Sequence, residues 1–190
     1  TMRMTNVDTV QTFMQSGLST TLAGQTDVSM DITNFVDGLL IQPNSDGSAP
    51  TTGTLSTATG NTGIGKSTFT ALTSGDTNTA YGYNSMAALT TGSDNVAVGA
   101  SALDANTTGG SNIAIGAGSL GANTTASNNT AVGYSALLAN TTGTANTSVG
   151  LASLTSNTTA DNNTAVGFEA LNANTTGANN TATGFEALKA

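Results

Sequence analysis

The eight residues Thr130-Ala-Val-Gly-Tyr-Ser-Ala-Leu137 return as Thr164-Ala-Val-Gly-Phe-Glu-Ala-Leu171, and the glycine inside them recurs along the chain. Gly65, Gly82, Gly99, Gly116, Gly133, Gly150, Gly167 and Gly184 are 17 residues apart at every step. Self-similarity at a fixed period marks a repeat architecture and decides the fold before any local reading does. With the glycine as position zero, Asn78, Asn95, Asn112, Asn129, Asn146, Asn163 and Asn180 hold position 13 of every cycle. Asn106, Asn123, Asn140, Asn157 and Asn174 begin an Asn-Thr-Thr triplet at position 7. Position 10 is glycine in most cycles, with Ala126 and Ala160 in two of them.

Asn-Thr-Thr-Gly is turn chemistry, because Asn tolerates left-handed backbone angles and Gly adopts positive φ freely. Thr-Ala-Val is strand chemistry, since β-branched residues fit a pleated surface. Two turns and two short strands in 17 residues make one coil of a parallel β-solenoid, so the expected class is all-β. A helical repeat is disfavoured by the Asn, Thr and Gly of each cycle, which are poor helix formers. The Phe-Glu-Ala-Leu piece is expected to make a single helical turn. Coils in register lie about 4.8 Å apart, so eight of them span roughly 38 Å. Identical asparagines stacked at that spacing can bond amide to amide along the axis. The position-13 asparagines and the glycines are therefore read as structural ladder and turn residues.

Composition narrows the function. Charged residues are 7% of the 190, against roughly 25% in typical soluble domains. The net charge is −8, and Arg3, Lys66 and Lys189 are the only basic residues. Nucleic-acid binding needs clustered cations, and attachment to anionic lipid needs them too. The sequence holds no cysteine and no histidine. That removes thiolate metal sites and the usual acid–base and nucleophile constellations, so neither an enzyme nor a cofactor is expected. No apolar run reaches the length of a membrane span.

Residues 1–60 do not follow the cycle. Val7, Val10, Met14 and Leu18 suit the stripe of a short helix from about 6 to 22. Val28, Met30 and Ile32 alternate with polar residues as in a half-buried strand, and Phe35 to Ile41 is the most apolar cluster. Residues 1–42 are accordingly read as a small α+β docking or capping segment, 43–60 as a Pro/Gly/Ser/Thr linker, and 61–190 as the repeat domain. Lys189-Ala190 stands just before the next Asn-Thr-Thr-Gly turn, and the chain opens on Thr1 rather than Met. The expectation is a piece of a longer protein.

One coil offers about one Val or Ile, one Leu and two small residues to bury, worth a few kcal/mol, while ordering its backbone costs about 1–2 kcal/mol per residue. A second apolar surface shared between chains would close that gap. The small Ala and Ser before each glycine are expected to let neighbouring backbones approach, giving a homo-oligomer, most simply a trimer.

The run Asn-Thr-Ala-Val-Gly-Phe-Glu-Ala-Leu, continued to Asn-Thr-Thr-Gly at 163–177, resembles repeats of phage tail-fibre proteins. Asn112-Ile-Ala-Ile-Gly116 is similar to the repeat in the heads of trimeric autotransporter adhesins. The resemblance covers 61–190 and implies a trimeric parallel β-roll with a role in attachment or in building an extended spike. On it rests the expected function, a structural fibre, spike or whisker segment of a phage-like tail fibre. Its partners would be further copies, other fibre or virion proteins through 1–42, and a host surface receptor. Its place would be the virion or the extracellular and cell surface. The competing reading is a bacterial adhesin head or the subunit of a self-assembling extracellular filament. An ice-binding solenoid ranks below both, because the paired threonines of each triplet point opposite ways.

Other motifs have plainer readings. Asp76, Asp94, Asp104 and Asp161 are isolated turn acids, and a calcium site needs an oxygen cluster. Glu169 and Glu186 share one repeat position, which reads as a solvent-facing edge. Gly63-Ile-Gly-Lys66-Ser lacks the four-residue spacer of a phosphate loop, and the Asn-Thr-Thr glycosylation match is a by-product of the turn.

Overall fold

A computed structural model describes residues 27–32, 35–42 and 57–190. The expected helix at 6–22 and most of the linker lie outside the described residues. Eight three-residue strands follow the period: β4 (Thr62–Ile64), β5 (Thr79–Tyr81), β6 (Val96–Val98), β7 (Ile113–Ile115), β8 (Thr130–Val132), β9 (Thr147–Val149), β10 (Thr164–Val166) and β11 (Thr181–Thr183). Each pairs in parallel with the next in strict register, as in Thr79↔Val96 and Ala131↔Ser148. The chain is thus a parallel β-solenoid whose rise per coil is one strand spacing. Three strands precede the period: β1 (Asp27–Ile32), β2 (Phe35–Gln42) and β3 (Ala58–Thr59). β1 and β2 pair antiparallel, and β2 then runs parallel to both β3 and β4. β3 falls within the stretch read as linker.

Each strand alternates outward, inward, outward, as the β pleat requires. The inward residue is small: Ala80, Ala97, Ala114, Ala131, Ser148 and Ala165 are buried. This corrects the expected role of the small column, which lines the coil's own interior rather than a contact between chains. Its neighbour across the interior is the column four after the glycine, where Phe69, Met86, Leu103, Leu120, Leu137 and Leu154 are fully buried. A coil this thin has room for one large apolar layer, and an alanine must face it.

The segment after the glycine is not a helical turn. Glu169 and Leu171 have φ of 51° and 50°, and Ser135 and Leu137 have 54° each. Alternate left-handed residues bend the chain sharply, which a right-handed helical turn cannot do. The expected second strand is also absent. The Asn-Thr-Thr stretch is irregular, yet it still carries bonds between coils, with Thr107 N–H donating to Thr124 O and Thr141 N–H to Thr158 O, both at 2.8 Å.

The periodic glycines sit where coil meets coil. At Gly133, with φ of 140°, an added Cβ would lie 2.4 Å from the carbonyl oxygen of Gly150. Backbone stacks directly on backbone here, so no side chain fits.

Candidate functional site

The interior polar groups are built into ladders. Asn112 Nδ2 donates to Asn95 Oδ1 at 3.1 Å and to Ala126 O at 2.9 Å. Asn112 Oδ1 in turn accepts the backbone N–H of Asn129 at 3.0 Å. The same contacts recur from Asn61 through Asn78, Asn95 and Asn146, whereas Asn129 Nδ2 bonds Gly143 O alone at 2.9 Å, and Asn180 closes the column on Asn163 Oδ1. All of these except Asn180 are fully buried. A buried amide costs free energy unless bonded, and stacking an identical residue on each coil satisfies it along most of the column; Asn163 Nδ2 is the buried amide left without a partner among the described residues.

A second ladder runs through the triplets. Asn123, Asn140, Asn157 and Asn174 each donate Nδ2 to the Oδ1 of the asparagine one coil earlier, at 3.0–3.1 Å. The sequence reading treated these only as turn residues. The signal was available: the first two cycles carry Leu72 and Leu89 at this position, and both are fully buried. A position shared by Leu and Asn is an interior one. Burial also places Asn106, Asn123, Asn140 and Asn157 out of reach of a glycosylating enzyme in the folded chain.

The acids belong to the coils. Asp76 Oδ1 accepts from Thr59 N and Oγ1 at 2.7 and 2.9 Å, and Asp161 Oδ1 accepts from Thr144 N and Oγ1 at 2.6 and 3.0 Å. Ser93 and Ser127 use Oγ in the same column, taking N–H bonds from Asp76 and Gly110. Asp94 accepts the hydroxyl of Thr77. Burial pushes the Asp104 carboxyl above its ordinary value, with the Ser101 hydrogen bond opposing. Among the described residues no three acids cluster as metal ligands. Glu169 and Glu186 stand one coil apart with Lys189 bridging them, and the hydrogen bond to Glu169, then that to Glu186, raises the lysine's pKa. Ile64 ends strand β4, and Lys66 takes the place after the cycle's glycine that Tyr83 and Tyr134 hold in later coils.

Outside the coils, the surface left uncovered along the sheet is largely apolar. The outward strand positions expose Tyr81, Val98, Ile113, Ile115 and Val166. The residue after the glycine is the next outward position along the chain, and there Tyr83, Tyr134, Leu151, Phe168 and Phe185 are exposed. Phe168 and Phe185 stack with centroids 5.1 Å apart and planes 9° from parallel. Among the described residues, Leu138 and Leu188 are the large exposed apolar side chains found elsewhere. The sequence carried the signal as a small residue flanked on alternate positions by larger ones.

The fold defines a β-solenoid repeat protein. Comparison with protein-family models, curated proteins and solved structures finds no match for this chain.

Proposed function

We propose that the chain is a structural segment of a fibre or spike of the phage tail-fibre kind, a shaft or whisker that self-associates. The supporting observation is the fate of its polar groups. The buried asparagines and most turn acids bond the adjacent coil, leaving no convergent set of titratable groups among the described residues. Such a chain builds length and stiffness rather than chemistry, and it acts without cofactor or catalysis. The resemblance of its repeat to those of tail fibres supports a homotrimer, attached to other fibre or virion proteins through residues 1–42 and meeting a host surface. Its place is the virion or the extracellular and cell surface, with neither nucleic acid nor membrane insertion involved.

The test combines sedimentation equilibrium with electron microscopy of the purified chain. The reading expects elongated particles with a mass that is a multiple of 18.6 kDa. A compact particle that stays monomeric at every concentration contradicts it.

A further inference from the structure

We propose that the outward face of the parallel sheet is where copies of this chain meet, sheet against sheet; this rests on the self-association reading above. Two observations favour a second copy over any other occupant, and the size of the face sets the strength of the contact. The first is the segregation of apolar surface. The strand positions flanking the buried alanine, together with the position after the glycine, carry nearly all the exposed large apolar groups. Lys66, at the N-terminal end, is the one charged residue in these columns among the described residues. Each copy carries a net −8, and these columns bring no carboxylate of their own to a contact between two copies.

The second is commensurability. The face repeats at one strand spacing, since the strands pair in register at 17-residue steps. Another copy has the same spacing, so its side chains meet this face equally at every coil. A partner lacking that period meets it only locally.

Seven steps of about 4.8 Å by roughly 13 Å of strand width give about 440 Å² per copy. That lies within the range of the largest apolar patch on an ordinary monomer, about 300–600 Å². Doubled across two copies it is about 880 Å², below the roughly 1,200 Å² where specific stable interfaces begin. The contact is therefore weak and reversible, and it strengthens with the number of coils.

The experiment places charges at mid-face. Ile115 and Val132 are outward residues of adjacent central coils, so the pair covers both parallel and antiparallel docking. The double variant Ile115→Lys/Val132→Lys is measured by sedimentation over a concentration series, with far-UV circular dichroism confirming the fold. Like charges facing each other across a desolvated contact are expected to weaken association at least about a hundredfold. The substitution reduces the net negative charge, so general repulsion cannot explain such a loss. Mixing it with Ile115→Asp/Val132→Asp should restore association between the two variants. Thr125→Lys/Thr142→Lys, exposed on another side, should associate like the parent. If the parent associates and the Lys pair associates equally well, this face is not the contact, while the fibre reading stands. If the parent is a monomer throughout, both fall.

Discussion

Replacing Gly133 by alanine tests the stacking of backbone on backbone most sharply. The new Cβ would stand 2.4 Å from the Gly150 carbonyl oxygen, and φ is 140°, a conformation open essentially to glycine alone and costing other residues about 1–3 kcal/mol. The obstructing atom is main chain, so it can retreat only by separating the coils. Two bonds then lengthen, Gly133 N–H to Ile115 O at 2.7 Å and Gly150 N–H to Val132 O at 2.8 Å, each worth about 0.5–1.5 kcal/mol. The expected loss is about 3–5 kcal/mol. The matched control is Gly118→Ala. Gly118 also has positive φ, 68°, but an added Cβ would meet nothing closer than 3.7 Å. Other coils carry Ser101, Ser135, Ala152 and Glu169 in that left-handed position, so this change should cost about 1 kcal/mol or less. Urea unfolding followed by far-UV circular dichroism separates the two, and the Gly133 variant should also unfold in a split transition as its two halves uncouple. Equal losses for both variants would refute the reasoning.

Asn112→Leu should cost about 2–5 kcal/mol, because it leaves the Asn129 N–H without its partner and removes the Nδ2 bonds to Asn95 Oδ1 and to the Ala126 carbonyl, which keeps only Asn123 Nδ2. Asn106→Leu should cost less, about 1–2 kcal/mol, since it extends the Leu72–Leu89 column and chiefly orphans the Gly109 N–H; thermal melts of the pair give the comparison. Ala145 holds φ of 55° where Asn128, Asn162 and Asn179 serve in other coils, so Ala145→Asn should stabilise by about 0.5–1 kcal/mol in urea titrations. Asp104 has a folded pKa above its ordinary 3.8 because burial disfavours the carboxylate. Its penalty is therefore full above the folded pKa and vanishes as pH falls below the unfolded one. Asp104→Asn should raise the melting temperature at pH 7 and leave it unchanged near pH 3.

The solenoid was legible because its cause is one-dimensional. A glycine every 17 residues and an asparagine thirteen later mean that whatever one coil does, the next repeats. The path within a coil was less legible. Phe-Glu-Ala-Leu carries ordinary helix-compatible residues, and its left-handed Glu169 and Leu171 are imposed by the need to drive Leu171 inward beneath Leu154. The small residues before each glycine suggested close approach between chains, whereas the pleat turns them toward the interior. Position 7 looked like turn chemistry because Asn-Thr-Thr is common in turns; only the leucines of the first two cycles betray its burial. The outward face was hidden by variety, since Tyr81, Val98, Ile115 and Val166 share a place without sharing a type.

The central claim is that each 17-residue cycle advances the chain by one strand spacing along a single axis. Spin labels at exposed threonines nine after the glycine measure it directly, paired as Thr91/Thr142, Thr91/Thr159 and Thr91/Thr176. Pulsed dipolar spectroscopy should return separations near 14, 19 and 24 Å, rising by about 4.8 Å per added cycle. Separations that fail to rise in equal steps, or that rise by a helix-pair or hairpin spacing, would contradict the account.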